Sequence, residues 1–243
     1  MARDRKLCTA RGSGSWRCRL LHSRRLGTRA QLPRVLQRMG YSGASAEIGV
    51  WNGFYTSALL KDWRGGGPHF GIDPYMRYGS SSTGCNQTSR RGGDKQCWVT
   101  QEMFDGVHDA TKQRLLRAYP GRASLIRAFS VDAAARFANA SLSFVYIDAR
   151  HDYEGVLEDL AAWWPKLCPG AMIAGHDWTE DLDRSTDAVA RALEEFLGRQ
   201  RPHSQWPSTF YVTAEHPASW FLFTRPPPCT HAERASLLST RPD

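Results

Sequence analysis

Short apolar runs alternate with segments of helical periodicity along most of this chain. The apolar runs end in turn-forming or acidic residues, a pattern typical of buried strands. The segments between them carry apolar residues three and four positions apart, as amphipathic helices do. The predicted strands are Ser45–Val50, His69–Asp73, Ala123–Phe129, Phe144–Asp148, Ala171–Asp177, Thr209–Ala214 and Ser219–Phe223. The predicted helices are Leu32–Met39, Phe54–Trp63, Glu102–Ala118, Val131–Ala138, Tyr153–Trp164 and Asp187–Leu197.

This order of elements predicts an α/β fold, a Rossmann-like, mostly parallel seven-stranded sheet with helices on both faces. Too few residues separate the last two strands for a crossover helix, so they are expected to form a C-terminal antiparallel hairpin. The predicted domain spans residues 32–225, between tails at 1–31 and 226–243. It contains a polar loop insertion at 76–100, which we expect to be mobile without ligand and partly ordered with substrate.

Most of the positive charge lies in the N-terminal part of the chain. The formal net charge of the 243 residues is +8, whereas residues 1–46 alone carry eleven basic side chains and one acid. The rest of the chain is therefore slightly acidic. This argues against an enzyme that acts on nucleic acid, because such a domain carries its own basic surface. No apolar run approaches the ~20 residues of a membrane-spanning helix, so no membrane partner is expected.

The Arg-rich, acid-poor tail, residues 1–31, has more than one interpretation. It suits a transit peptide that directs a protein to a mitochondrion or chloroplast, and it equally suits a disordered terminus of a cytoplasmic protein. An RNA-associated protein that uses this tail is a further alternative. The six cysteines are scattered without a C-x-x-C pair, so neither a zinc site nor a dense disulfide scaffold is predicted. Whether Cys85 and Cys97 pair stays open.

Glycine and acidic residues gather at the carboxyl ends of the predicted strands, where ligands bind in sheets of this kind. The first strand runs into the turn E-I-G-V-W-N-G, Glu47–Gly53, whose glycines let a ligand approach the backbone. Trp51 stands where a dinucleotide fingerprint needs glycine for a pyrophosphate, so NAD is not the expected ligand. Asp73 ends the second strand, where a carboxylate can accept ribose hydroxyls. The fourth strand ends in Asp148, and the fifth in His176–Asp177.

Taken together, these features resemble one family. The turn, the acid that ends the second strand, the segment YIDARHDYEGVLEDLAAWWPKLCPGAMIAGHDW (Tyr146–Trp178) and the closing hairpin are similar to class I S-adenosylmethionine-dependent methyltransferases. The nearer match is the branch of small-molecule O-methyltransferases of the catechol and macrolide-sugar type. The likeness spans roughly Leu32 to Phe223. It implies an enzyme that transfers a methyl group from S-adenosylmethionine to a small-molecule hydroxyl.

The resemblance also implies roles for individual residues. The implied cofactor-binding residues are Glu47, Gly49 and Gly53 at the methionine end, Asp73 at the ribose, and Phe129 and Ser130 near the adenine. In metal-dependent members the acids that end the fourth and fifth strands bind Mg²⁺, so Asp148 and Asp177 would hold Mg²⁺ or Mn²⁺. His176 lies where relatives more often present an oxygen ligand, and would be a third ligand or an orienting neighbour. His151 resembles the catalytic base of the sugar O-methyltransferases.

These residues leave alternatives open. A metal-independent methyltransferase would use Asp148 and His151 directly on the substrate. In a purely structural reading, Asp148 would cap the following helix and His151 would be a solvated loop residue. A catalytically inactive scaffold is a further alternative, which the acids at the strand ends disfavour.

Overall fold

The computed structural model describes residues 27–76, 100–179, 188–199 and 209–224, together with the backbone of two strands at 5–10 and 16–21. The strands are β1 (Arg5–Ala10), β2 (Trp16–Leu21), β3 (Ala44–Ile48), β4 (His69–Ile72), β5 (Ala123–Ile126), β6 (Leu142–Ile147), β7 (Leu167–Trp178), β8 (Thr209–Val212) and β9 (Ala218–Phe223). The α-helices are α1 (Leu32–Arg38), α2 (Phe54–Asp62), α3 (Gln101–Ala118), α4 (Ser130–Ala134), α5 (Tyr153–Trp163) and α6 (Ala188–Arg199). Two short 3₁₀ helices are Arg29–Gln31 and Trp164–Lys166.

All these strands belong to one sheet, in the order β2-β1-β8-β9-β7-β6-β3-β4-β5. The pairs β7–β6, β6–β3, β3–β4 and β4–β5 are parallel. The hairpin β8–β9 is antiparallel, and β9 also pairs antiparallel with β7. The predicted mostly parallel sheet with a C-terminal antiparallel hairpin is therefore confirmed by strands β3 to β9.

Strands β1 and β2 lie within residues 1–31, where the sequence predicts a basic, disordered tail. They pair antiparallel with each other, and β1 pairs antiparallel with β8. The structure therefore differs from that prediction at 5–10 and 16–21, where two edge strands extend the predicted seven-stranded sheet to nine among the described residues. The physical reason is the open edge of the hairpin, because β8 leaves a row of backbone donors and acceptors on which a further strand can pair. In residues 16–19 apolar and basic residues also alternate with the period of a strand.

Helices cover both faces of the sheet, as predicted. On one face α4, α5 and α6 pack against a cluster that includes Val145 and Ile147. On the other face α1 and α2 pack against Phe144 and Tyr146. Because successive strand residues point to opposite faces, all six residues of β6 are buried. The site described below lies at the carboxyl end of this fully buried strand.

Helix α5 begins next to the end of β6, and Asp152 is its cap. The Asp152 carboxylate accepts a hydrogen bond of 2.9 Å from the backbone N–H of Gly155, as a helix-capping residue does. The suggestion that Asp148 caps this helix is therefore wrong, because the chain needs four more residues to turn from the strand into the helix. This leaves the Asp148 side chain available for the site.

Some predictions concern residues that the structure does not describe. The predicted loop at 76–100 lies outside them from 77 to 99, and so do Cys85 and Cys97. Cys168, on β7, is disulfide-bonded, which its isolated position in the sequence does not predict. Among the described helices, none has the length and apolar character needed to cross a bilayer.

Candidate active site

The site forms where β3, β6 and β7 end side by side. Ile147 on β6 pairs with Ile48 on β3 and with Gly175 on β7, so the residues that follow these positions emerge at one edge of the sheet. The backbone N–H of Asp148 donates to the carbonyl oxygen of Ile48 over 2.7 Å. Parallel pairing thus places the acid that follows β6 beside the acid on β7.

Gly49 is required by this close approach of strand ends. Its φ angle is +87°, in the left-handed region, and a Cβ built on it would lie 2.0 Å from the carbonyl oxygen of Asp148. No side chain fits at that distance, so a glycine is needed for packing as well as for access by a ligand. The glycine that the sequence analysis assigns to a cofactor therefore also sets the position of the Asp148 backbone.

Two carboxylates and two histidines converge at this edge. The Nε2 atom of His151 lies 3.1 Å from Oδ2 of Asp177 and 3.5 Å from Oδ1 of Asp148. The Nδ1 atom of His176 lies 3.0 Å from Oδ2 of Asp177 and 3.8 Å from Oδ1 of Asp148. The His151 side chain is 46% exposed, against 13% for His176, so His151 stands at the solvent rim and His176 beneath it.

Asp177 combines a left-handed backbone conformation with a lowered carboxyl pKa. Its φ angle of +56° falls in the left-handed region, which non-glycine residues adopt at a cost and most often at functional sites. Burial raises the pKa of its carboxyl, but the hydrogen bond from His176 and the charges of the two histidines outweigh burial and lower that pKa. Asp177 is therefore an ionised acceptor at neutral pH, facing both imidazoles.

Arg29 is a member of this cluster that the sequence analysis did not identify. Its Nη1 atom lies 2.7 Å from Oδ2 of Asp148 and 3.5 Å from the hydroxyl oxygen of Tyr146, and its guanidinium stands 5.4 Å from the ring centroid of Tyr55. Tyr146 is buried and its hydroxyl also contacts Ser219 over 3.3 Å. Burial, and then the charge of Asp148, raise the pKa of Tyr146 well above its usual range, so its hydroxyl is a neutral partner.

The cluster has a donor set that fits a divalent cation. Ligand atoms of Asp148, His151 and Asp177 all lie within 4.8 Å of one another. Two carboxylate oxygens and one imidazole nitrogen suit Mn²⁺ or another first-row transition ion better than Mg²⁺, which prefers oxygen alone. The Nδ1 atom of His176 also faces both carboxylates.

The Asp73 carboxylate binds the backbone of the glycine turn. Its Oδ2 atom accepts hydrogen bonds from the backbone N–H groups of Val50 and Trp51, over 3.1 and 2.9 Å, and its Oδ1 atom accepts one from Tyr75 over 2.8 Å. Burial raises the pKa of this carboxyl and outweighs the three backbone hydrogen bonds that lower it. A carboxylate has about four acceptor positions, so one remains for a ligand hydroxyl.

Glu47 lies under the turn rather than in it. It is 2% exposed, accepts a 2.7 Å hydrogen bond from the hydroxyl of Thr56 on α2, and lies 3.4 Å from Nε2 of His69. Burial raises the pKa of Glu47. Glu47 is thus held between Thr56 and His69, and its contact with the methionine end of a cofactor stays a prediction.

A shallow cleft that is partly open to solvent runs along the strand ends beside the cluster. Its lining residues include Gly49, Phe129, Ser130, Ala149, Arg150 and Asp159. Phe129 and Ser130 were predicted from the sequence, whereas Asp159 was not. Asp159 is 4% exposed on α5 and receives a hydrogen bond from Ser130. Trp163 in turn donates from its indole nitrogen to the Ser130 oxygen over 2.9 Å. Burial raises the pKa of Asp159 to about 6.

Comparison with known proteins agrees with this arrangement. A family model described as a methyltransferase domain matches residues 46–178, more than half of the chain. A cofactor-bound protein from MTB, Rv0187, shares the fold with a TM-score of 0.54 at 17% identity, over 81% of this chain and 78% of that one. An O-methyltransferase from Bacillus cereus in complex with SAH has a TM-score of 0.53 at 14% identity, over 80% and 78%. A candidate rRNA methylase from Clostridium thermocellum has a TM-score of 0.51 at 13% identity, over 80% and 96%.

No curated protein matches the chain by sequence. The family match nevertheless begins on β3 and ends at the last residue of β7, the strands that carry both the glycine turn and the carboxylate cluster. It covers the cleft residues from Gly49 to Asp159 as well. The chain therefore belongs to the methyltransferase-domain family and has the Rossmann-like fold of the class I S-adenosylmethionine-dependent methyltransferases.

Proposed function

We propose that this methyltransferase transfers the methyl group of S-adenosylmethionine to the hydroxyl of a small molecule, with His151 as the proton acceptor. The observation that carries the proposal is the continuity between the cleft and the histidine–carboxylate cluster. Gly49 and Ala149 line the cleft, and Asp148 follows β6 directly before Ala149. A ligand that fills the cleft therefore ends next to the cluster.

The cofactor would lie along the strand ends, held by residues of this chain at its ribose and at its adenine. Asp73 has one acceptor position for a ribose hydroxyl, Phe129 and Ser130 border the adenine end, and Asp159 offers a carboxylate at the same end. When bound, S-adenosylmethionine supplies an electrophilic methyl group on a sulfonium. The relatives described as cofactor-bound and SAH-bound support this choice of cofactor.

His151 has the geometry of a general base. Its side chain is 46% exposed, so an acceptor hydroxyl can approach it from solvent. The oxygen lone pair forms the bond to the methyl carbon, the carbon–sulfur bonding pair returns to sulfur, and the hydroxyl proton moves to the imidazole. Asp177 at 3.1 Å and Asp148 at 3.5 Å from the Nε2 atom stabilise the positive charge that develops on the ring.

A metal-assisted reaction is the second candidate, favoured by the ligand atoms of Asp148, His151 and Asp177 within 4.8 Å. A divalent ion there would lower the pKa of the acceptor hydroxyl. The two routes compete for His151, because an imidazole whose Nε2 atom binds a metal keeps its ring proton on Nδ1 and has no nitrogen left to accept the hydroxyl proton. A metal held by Asp148, Asp177 and His176 would leave His151 as the base.

The acceptor class also has an alternative, because one relative of similar fold is a candidate rRNA methylase. The small-molecule hydroxyl is favoured by the slightly acidic remainder of the chain after residue 46. Transfer of a radiolabelled methyl group distinguishes the two acceptor classes. We expect the label to appear in members of a panel of catechols and sugar alcohols. If His151 is the base and no metal takes part, a chelator should leave the rate of transfer unchanged. Label that appears only in RNA would overturn the proposed substrate, and complete loss with a chelator would select the metal route.

A further inference from the structure

We propose that Arg29 is a resident cation of the reaction centre, which holds Asp148 in competition with a divalent metal ion. This inference rests on the proposed function, because it assigns the state in which the cluster carries out methyl transfer. Arg29 lies outside residues 46–178, so the family match says nothing about it. Two features of the structure support the assignment, the anchoring of the Arg29 backbone and the contacts of its guanidinium.

The backbone of Arg29 is tied to the C-terminal hairpin. Its N–H donates to Oε1 of Glu215 over 2.6 Å, in the turn between β8 and β9. Two residues earlier, the carbonyl oxygen of Gly27 accepts from the N–H of Ala214 over 3.1 Å. Glu215 also accepts from Thr213 and Ser219, over 3.1 and 2.9 Å. These contacts fix the segment that begins the 3₁₀ helix, so the side chain of Arg29 starts from a defined position.

The guanidinium is directed at Asp148 by contacts on more than one side. It donates to Oδ2 of Asp148 over 2.7 Å and lies above the ring of Tyr55, with the hydroxyl of Tyr146 at 3.5 Å. Only 33% of the Arg29 side chain is exposed, which is half the value for Arg34 in its ion pair with Asp62. A partly desolvated, cation–π-supported pair of this kind is stronger than a surface ion pair.

Arg29 places a permanent positive charge beside the two carboxylates of the cluster. Asp148 and Asp177 both face His151, and two carboxylates brought together need a cation or a shared proton. An arginine is always protonated, so it supplies that cation without a metal. With its Oδ2 atom bound to Arg29, Asp148 still presents Oδ1 to His151. Arg29 acts through Asp148 and is therefore a positioning residue.

A divalent ion at the same cluster would need Asp148 as a ligand. The ion and the guanidinium would then lie within a few ångströms of each other, where two cations repel strongly. A metal ion on one oxygen of Asp148 and Arg29 on the other therefore disfavour each other, so the bound ion should loosen Arg29 and bound Arg29 should weaken the ion. The cluster is expected to bind metal weakly as long as Arg29 is in place.

The test is Mn²⁺ binding by calorimetry, with no cofactor present, to the wild-type chain and to Arg29→Gln, Arg29→Lys and Arg34→Gln. We expect Arg29→Gln to bind Mn²⁺ at least ~10-fold more tightly than wild type, since it removes the competing charge. Arg29→Lys keeps the charge and should stay within about threefold of wild type. Arg34→Gln, the matched control on α1, should be unchanged. Equal or weaker Mn²⁺ binding by Arg29→Gln, including no binding by either protein, would overturn the inference.

A second measurement on the wild-type chain keeps the inference testable if Arg29→Gln does not fold. Saturating Mn²⁺ should speed the modification of Arg29 by phenylglyoxal, mapped by mass spectrometry, and leave the modification of Arg34 unchanged. An unchanged rate at Arg29 would contradict displacement by the metal. Neither experiment contains cofactor. If the chain failed to bind cofactor, the proposed function would be refuted, but the Mn²⁺ titration and the modification of Arg29 would still test the inference.

Discussion

Replacing Asp159 with asparagine should make the protein more stable at neutral pH, although it removes a charged group from a hydrogen bond. Asp159 is 4% exposed, and its partner Ser130 is itself held by the indole nitrogen of Trp163. Burial raises the pKa of the Asp159 carboxyl, whereas the hydrogen bond with Ser130 and the charge of Arg150 lower it, and the balance is about 6. An asparagine of the same shape keeps an oxygen for Ser130 and has no charge to bury.

The magnitude follows from the difference in pKa between folded and unfolded chains. The ordinary value is 3.8 and the folded value about 6, so the folded protein retains a proton over this range that the unfolded chain has lost. The contribution of Asp159 to stability is therefore full below about pH 4, falls as pH rises toward 6, and is lost above it. A shift of about two pKa units corresponds to ~3 kcal/mol.

Urea unfolding of wild type and Asp159→Asn between pH 4 and pH 8 measures this difference directly. The two free energies of unfolding should agree near pH 4 and diverge until the variant is more stable by ~2–3 kcal/mol above pH 6. Asp132→Asn, on the exposed first turn of α4, should show no such divergence. Asp159→Asn should also bind SAH more weakly, since the carboxylate lines the cleft. Parallel curves for wild type and Asp159→Asn would refute the reasoning.

Three further predictions concern the glycine turn and the cluster. Asp73→Asn should weaken SAH binding by ~1.5–3 kcal/mol, because a neutral amide replaces a charged acceptor; calorimetry that finds unchanged affinity would count against the ribose contact. His151→Ala should lower kcat by about 10²–10⁴ and leave SAH affinity intact, and a normal kcat would remove His151 as the base. Gly49→Ala should lower the free energy of unfolding by ~3 kcal/mol or more, since its Cβ would lie 2.0 Å from the Asp148 carbonyl oxygen. A Gly49→Ala variant that unfolds at the same temperature as the wild type would contradict that packing constraint.

The seven strands β3 to β9 were predictable because each is a short apolar run bounded by glycine, proline or charge. The central strands of a parallel sheet are buried on both faces, as all six residues of β6 are, so their apolar pattern is strong even over a few residues. Strands β1 and β2 were not, because their residues are mostly basic or small and the segment has the composition of a tail. Their pairing depends on the open edge of β8, a partner more than 180 residues away, which local pattern cannot reveal.

The same distinction applies to the site. Asp148, His176 and Asp177 were foreseeable as neighbours because parallel strands end at one edge of a sheet. Arg29 was not, because it joins the cluster from the N-terminal segment through contacts with the hairpin turn rather than through any motif. Asp159 was missed for another reason: an acid within an amphipathic helix is normally exposed, and only the packing of α5 buries this one.

The central claim is that the glycine turn and the strand-end cleft bind the nucleoside of S-adenosylmethionine. Titration of the wild-type chain with SAH by isothermal calorimetry tests it most directly, with NAD as the comparison ligand. The account predicts saturable binding of one SAH per chain, weakened in Asp73→Asn and not in Arg34→Gln, and no binding of NAD. Absence of SAH binding by a folded wild-type chain, or equal binding of NAD, would contradict it.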